Sequence, residues 1–136
     1  MELYAKLAVI RVRLSKAHQD LDAIRDLLKV SRWRGAVIFA YYAMFDAASA
    51  ALLWLNIERT KHSAVQASFN EFFVKPGLIE VEYGQLYRTA REWRKDQDYS
   101  DVAAQPDEST ATHIVNDAER FVARLERYLR EAGAIE

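Results

Sequence analysis

The chain has 136 residues and no cysteine, and its 19 basic side chains nearly balance its 20 acidic ones, for a formal net charge of −1. Without cysteine it has no disulfide framework, thiol catalysis or thiolate metal site, and the balanced charge excludes a global attraction to nucleic acid or anionic lipid. The length suits one domain over residues 1–136. The N-terminal segment shows no secretion signal, so we expect a cytoplasmic protein.

The pattern of apolar residues predicts an all-α fold. Only four glycines and two prolines punctuate the chain, and apolar side chains recur at spacings of three and four residues, which is the period of a helix. We expect an up-and-down bundle of four to five helices. The first is about 27 residues long, with an apolar seam from Leu3 to Leu28. Such a seam also occurs in coiled coils, but a bundle helix is the simpler interpretation.

The second predicted helix, Gly35–Leu55, is apolar on every side and carries one charge, Asp46. Its length would let it cross a membrane. However, alanine dilutes its hydrophobicity, and a carboxylate near its middle would cost about 3 kcal/mol in a bilayer. We therefore expect the core helix of a soluble bundle and no membrane contact. The short junction before it, with Ser31 as candidate N-cap, makes the first two helices antiparallel neighbours.

Three more helices are predicted in the rest of the chain. Thr60 is a candidate cap for the third. The fourth runs from about Glu80 to Asp96, and the fifth begins at Asp107 or Ser109 and ends near Gly133. The residues expected to face inward include Phe69, Phe72 and Phe73 on the third helix, Leu86, Ala90 and Trp93 on the fourth, and Ile114, Phe121 and Leu129 on the fifth.

A basic cluster lies on the fourth predicted helix. At about 100° per residue, Arg88, Arg91 and Lys95 fall within about 60° of one another, with Arg94 beside them. Arginines on one helical face can bind phosphate oxygens, and an arginine beside an acid or base can position an RNA 2′-hydroxyl and neutralise developing charge. The same pattern is compatible with a solvated face in which acidic neighbours balance the arginines.

Among the three histidines, His62 differs from the others by its position. It lies in the first turn of the third helix beside Lys61, where it could contact an anion together with the helix amides. His18 and His113 are interpreted as ordinary polar side chains. The sequence contains no glycine-rich phosphate loop, paired-histidine motif or calcium loop, so we expect neither a metal nor a cofactor.

Asp46 is the one charge in the core helix. A buried carboxylate normally has a partner, so we expect Arg91, Arg94 or His62 within reach; alternatively, Asp46 reaches solvent at a cleft or subunit boundary. Tyr42 and Asp46 are four residues apart and share a side of the helix. If that side faces the basic cluster, the core helix is one wall of a site. The core-helix candidates for this cleft are Tyr41, Tyr42 and Asp46.

Three motifs, in this order along the chain, resemble the small stand-alone HEPN proteins of prokaryotes. They are the run AYYAMFDA from Ala40 to Ala47, the segment Lys61-His62-Ser63 that leads to Phe72-Phe73-Val74-Lys75, and the segment Arg94 to Tyr99. The likeness runs from about Leu21 to Leu129. It implies a bundle of four or five helices that forms a homodimer. It also implies a partner, a minimal nucleotidyltransferase, with the two proteins acting as toxin and antitoxin.

Active HEPN ribonucleases pair an arginine with a histidine four to six residues later, across a dimer, and cleave RNA without a metal. Here Arg91 and Arg94 supply the arginine, but Asp98 stands where the histidine belongs. An aspartate accepts a proton but is a poor acid near neutral pH. Asp46 likewise stands where the subfamily pattern has a histidine. Tyr99 matches a tyrosine that follows the motif in some HEPN toxins and that the paired enzyme adenylylates.

The leading hypothesis is a HEPN-type homodimer that binds RNA or a nucleotide. If it is a ribonuclease, Arg94 stabilises the phosphate and Asp98 acts as the base. The alternative is a non-catalytic helical module that docks a nucleotidyltransferase, and a third interpretation is a purely structural helical dimer. The residues expected to contact RNA or nucleotide are Lys61, His62, Arg88, Arg91, Lys95 and Tyr99.

Overall fold

A computed structural model describes residues 1–99 and 105–136, without the side chains of Asp98 and Tyr99. The described residues form five α-helices and no strand, which confirms the all-α helical bundle. The helices are α1 (Leu3–Lys29), α2 (Trp33–Trp54), α3 (His62–Phe69), α4 (Val81–Tyr99) and α5 (Glu108–Glu131), and a π-helical turn, Asn70–Val74, follows α3 directly.

Helix α2 is the centre of the bundle and packs against the four other α-helices. Its alanines let those helices approach closely, because a methyl side chain takes up little space between two helix backbones. By length and composition α2 could cross a membrane, but 72% of its most apolar stretch is buried inside the protein. Burial of this extent is typical of a core helix. The buried alanines are Ala36, Ala40, Ala43, Ala47, Ala48, Ala50 and Ala51.

The turn between α1 and α2 differs from the prediction. Ser31 does not cap α2; its φ of 59° places it in the left-handed region, and Arg32 is the N-cap without a side-chain hydrogen bond. The turn closes through the backbone instead, with the Arg32 amide donating to the Leu27 carbonyl at 2.9 Å. The predicted cap of α3 is also wrong. Its N-cap is Lys61 rather than Thr60, again without a side-chain hydrogen bond.

Helix α4 is rotated relative to the prediction. Ala90 is buried as expected, but Tyr87 is the large buried residue of this helix, whereas Leu86 and Trp93 are only partly buried. The Tyr87 ring packs against Phe121 of α5, with the ring centroids 5.3 Å apart. This rotation leaves Arg91 and Arg94 half-buried at the edge of the core. The helix also continues to Tyr99, beyond the predicted end.

Helix α5 follows the prediction at both ends. Asp107 is its N-cap, and the Asp107 carboxylate accepts a hydrogen bond from the Thr110 amide at 2.8 Å. This bond satisfies one of the amides that a helix leaves unpaired in its first turn. At the other end Gly133 has a φ of 86°, a conformation that glycine adopts without the strain that a Cβ atom causes.

Candidate functional site

An open pocket of about 410 Å³ lies between the start of α3 and the middle of α4. Every residue that lines it except Ser63 has a basic side chain. We call it the basic pocket, and its lining residues are Lys61, His62, Ser63, Arg91, Arg94 and Lys95. The structure therefore brings together two regions that the sequence analysis selected separately, the first turn of α3 and the basic cluster of α4.

Two guanidinium groups in the basic pocket are held by hydrogen bonds to neutral groups. Arg94 donates from Nη2 to the Tyr42 hydroxyl at 3.0 Å, and its guanidinium carbon lies 5.6 and 5.5 Å from the ring centroids of Tyr41 and Tyr42. Arg91 donates from Nη1 to the Gln66 amide oxygen at 2.7 Å. These contacts orient the two guanidinium groups, and oriented guanidinium groups suit recognition of an oxyanion.

His62 is held in the basic pocket by aromatic neighbours. Its Nδ1 lies 2.7 Å from the Tyr41 hydroxyl, and its ring stacks on Phe45 with the centroids 4.4 Å apart. Burial lowers the pKa of His62, and the charges of Arg94 and Arg91 lower it further, while Asp46 acts in the opposite direction. The imidazole is therefore neutral at neutral pH.

Beneath His62, two tyrosine hydroxyls lie in the core. Burial raises the pKa of Tyr41 to about 12, and burial also raises the pKa of Tyr87, whose hydroxyl lies beside that of Tyr41. Both hydroxyls consequently keep their protons at physiological pH. The Tyr41 hydroxyl can therefore orient His62 through their hydrogen bond rather than transfer a proton itself.

Asp46 lies on the side of α2 that faces α1. The side chain is 7% exposed, and Lys16 Nζ lies 3.8 Å from its Oδ1. It also shares a hydrogen bond with the Asp20 carboxyl, and we call these two residues the carboxyl pair. Burial, this hydrogen bond and repulsion from Asp46 raise the pKa of Asp20 to about 7. Burial raises the pKa of Asp46 as well.

The partners of Asp46 thus correct the prediction. We expected Arg91, Arg94 or His62, but the carboxylate pairs with Asp20 and Lys16 on α1. Among the predicted partners, His62 lies near enough to lower the pKa of Asp46 when its imidazole is protonated. Tyr41 and Tyr42 are not lining residues of the basic pocket; their hydroxyls contact His62 and Arg94, so α2 supports two of the lining residues from inside the protein.

Three other candidates lie elsewhere or outside the described part of the structure. Arg88 lines a separate pocket of about 250 Å³ between the π-helical turn and α4, together with Asn70 and Gly84. The side chains of Asp98 and Tyr99 are not among those described, although α4 carries position 98 one helical turn beyond Arg94. Within the described residues, no group of three or more histidine, aspartate or glutamate side chains is arranged to hold a metal ion.

Sequence reasoning missed several residues of the site. Gln66 lies four residues after His62 on α3, a spacing that places both on one face, but a lone glutamine carries no signal that would mark it as an arginine partner. Tyr87 was missed because the apolar face of α4 was assigned to Leu86 and Trp93. Asp20 and Lys16 belong to the long first helix, where charged residues normally face solvent.

Comparison with known proteins agrees with this geometry. The family model of the HEPN domain matches residues 10–128. A protein of Methanocaldococcus jannaschii named "Putative toxin MJ0605" is 35% identical over 122 residues, which cover 90% of each chain. A Thermotoga maritima protein named "UPF0332 protein" is 35% identical over 126 residues, which cover 93% of this chain and 95% of the relative. A second M. jannaschii protein, "Putative toxin MJ0142", is 29% identical over 95% of this chain and 86% of its own length. This chain therefore belongs to the HEPN domain family.

Proposed function

We propose that this HEPN protein is a toxin-like protein that binds single-stranded RNA, with a backbone phosphate seated in the basic pocket. The observation that carries the proposal is the pair Arg91 and Arg94, whose guanidinium groups are oriented by Gln66 and Tyr42. Preorganised guanidiniums bind phosphate oxygens with charge-assisted hydrogen bonds. The toxin names of two relatives support the toxin-like class.

RNA fits the basic pocket better than a mononucleotide does. The pocket is open to solvent, and the two lysines at its rim, Lys61 and Lys95, extend the positive charge beyond the two arginines. A nucleic-acid backbone presents phosphates in succession, so that neighbouring phosphates can use these outer cations. The protein carries a net charge of −1, so binding depends on this local cluster rather than on the charge of the whole protein.

Arg94→Gln tests the proposal by fluorescence anisotropy with a labelled single-stranded RNA. We expect the dissociation constant to rise about 10- to 100-fold, because removing a guanidinium from a phosphate costs about 1.5–3 kcal/mol. Arg127→Gln is the matched control, since Arg127 is an exposed arginine of α5 that contacts Glu80 and Glu131. Equal affinity in wild type and Arg94→Gln would refute the proposal. Competition by AMP at the same concentration as RNA would identify a mononucleotide site instead.

We extend the proposal to a homodimer and to a minimal nucleotidyltransferase partner, as the resemblance implies. Light scattering of the purified protein tests the first, and copurification with a nucleotidyltransferase from the same genome tests the second. If the protein binds that partner but no RNA, the non-catalytic docking module is the correct description.

A further inference from the structure

The pocket of about 250 Å³ between the π-helical turn and α4 shares no lining residue with the basic pocket. We call it the valine pocket. Its apolar walls are Val74 and Val81, and its polar groups are the side chains of Asn70, Gln85 and Arg88. Sites that enclose a whole small molecule usually measure roughly 300–1,000 Å³. The valine pocket is smaller, so it suits a single side chain presented by another protein.

Gly84 determines the shape of the valine pocket, because it lets α4 approach the π-helical turn closely. A Cβ atom on Gly84 would lie 2.8 Å from Asn70 Oδ1 and 3.2 Å from Val74 Cγ2, so a side chain here would force its neighbours to move. The π-helical turn itself is closed by the Lys75 amide, which donates to the Asn70 carbonyl at 2.8 Å. Such turns are rare and occur frequently at functional sites.

The chain between the π-helical turn and α4 presents apolar side chains on a firmly held backbone. Leu78 is 47% exposed and Val81 is 65% exposed, whereas Ile79 is buried. Arg124 of α5 donates to the Glu80 carboxylate at 2.9 Å and to the Leu78 carbonyl at 3.1 Å. Exposed apolar side chains mark interaction surfaces, and a backbone that is already ordered loses little conformational entropy when a partner binds.

Arg88 gives the valine pocket a positive charge that no acidic side chain balances. Among the residues that the structure describes, none forms a hydrogen bond or an ion pair with Arg88. The acidic residues at the start of α4 are paired with α5 instead. Glu80 lies 2.9 Å from Arg124, and Glu82 lies 2.9 Å from Arg120. Arg88 is therefore complementary to a carboxylate that comes from outside the chain.

We propose that the valine pocket and the adjacent Leu78 form a docking surface for an acidic segment of a partner protein. An aliphatic side chain of that segment enters between Val74 and Val81, and a neighbouring carboxylate pairs with Arg88. The apolar contact provides most of the affinity, and the charge selects an acidic partner over a basic one. Because the basic pocket is a separate site, this interaction does not depend on RNA binding.

An NMR titration of the isotope-labelled full chain tests the proposal, because amide shifts report where a probe binds. The probe is a capped peptide of leucine, alanine and glutamate, and the control peptide carries lysine in place of each glutamate. We expect the acidic peptide to bind with a dissociation constant of about 1 mM and to shift the amides of Val74, Gly84 and Arg88. The lysine peptide should leave them unchanged at the same concentration.

Two variants separate the apolar contact from the charge. Val81→Asp removes an apolar wall and repels the acidic peptide, and a carboxylate suits the first turn of α4, where Val81 is exposed. We expect binding to weaken about tenfold in Val81→Asp and about fivefold in Arg88→Gln. The matched controls are Val12→Asp, at a valine that is 59% exposed on α1, and Arg25→Gln, at an exposed arginine of α1. Both should bind the acidic peptide as wild type does.

Other occupants of the surface would give different results, each of which overturns the proposal. Shifts at Lys61 and Arg91 alone would place the acidic peptide in the basic pocket. N-acetylleucine that binds as tightly as the peptide would identify a site for a small carboxylate. A wild-type dimer that Val81→Asp converts to a monomer in light scattering would identify a second copy of this chain. Equal binding of the lysine peptide, or no shift with either peptide, would leave the surface without the proposed partner.

Discussion

The basic pocket lies between α3 and α4, the carboxyl pair lies between α1 and α2, and the two regions shift pKa values in opposite directions. In the basic pocket, burial and two arginines lower the pKa of His62. In the carboxyl pair, burial and a neighbouring carboxylate raise the pKa of Asp20 to about 7. In both places the protein favours the neutral form of the titrating side chain, because partial burial destabilises its charged form and groups of like charge lie nearby. The core helix thus lies beside a base that is unprotonated at neutral pH and a carboxyl that keeps its proton until the pH rises to about 7.

The two regions also differ in what holds them. The basic pocket is built on aromatic rings: Tyr41 packs against Tyr42, Phe45, Tyr87 and His62, with ring centroids 5.6 to 6.3 Å apart. The carboxyl pair lies between α1 and α2 and is joined by a shared hydrogen bond and by Lys16. Substitutions in the first region should therefore act mainly through packing, and those in the second mainly through charge.

The largest effect is expected for Tyr41→Ala. Tyr41 is fully buried, and truncation of a large aromatic core residue costs about 3–5 kcal/mol through lost contacts and the cavity left behind. The free energy of unfolding measured in urea should fall by that amount at any pH. Tyr4→Ala, at a tyrosine that is 80% exposed, should change stability by less than about 0.5 kcal/mol. Similar losses in both variants would contradict the central position of Tyr41.

A smaller effect, dependent on pH, is expected for Asp20→Asn. The pKa of Asp20 is about 7 in the folded protein and near 3.8 without burial, so the folded state binds this proton more tightly. Its contribution to stability is complete below about pH 4 and is lost as the pH rises through about 7. The amide has no proton to lose, so the variant should gain about 1 kcal/mol relative to wild type between about pH 5 and pH 8, after allowance for solvent screening.

The measurement for Asp20→Asn is the free energy of unfolding at both pH values. Asp22→Asn, at a mostly exposed carboxylate two residues away, serves as the control and should show no such gain. A constant difference between wild type and Asp20→Asn across this range would mean that the carboxyl pair does not hold a proton.

The sequence predicted the helices well because apolar periodicity reflects the same burial that the fold requires. It identified α2 as the core helix from its lack of a polar face, and Asp107 and Gly133 as the ends of α5. It also selected Arg91 and Arg94, and their nearness to Lys61 and His62 emerged only from the packing of α3 on α4.

The contacts of single polar residues were beyond the sequence because they depend on the rotation of each helix about its axis. The prediction placed Leu86 and Trp93 on the apolar face of α4 and omitted Tyr87. A tyrosine has an apolar ring that can be buried and a polar hydroxyl that favours exposure, so its position is hard to predict from sequence. The partner of Asp46 depended on which face of α1 meets α2. A like charge such as Asp20 is not an expected neighbour for a carboxylate until a shared proton is considered.

The smallest effect, opposite in sign to that of Asp20, is expected from His62. Its pKa is lower in the folded protein than its ordinary value of 6.5, so the unfolded chain binds this proton more tightly, and stability is present above about pH 6.5 and lost as the pH falls below it. His62→Asn cannot take up this proton. Relative to wild type it should therefore gain stability as the pH falls from about 7.5 to about 5, and the gain should be small because solvent screens the partly exposed ring. Urea unfolding of wild type, His62→Asn and His113→Asn at both pH values measures the difference. A gain toward high pH instead would show that Asp46 outweighs the arginines at His62, and the basic pocket would then hold an imidazolium rather than a base.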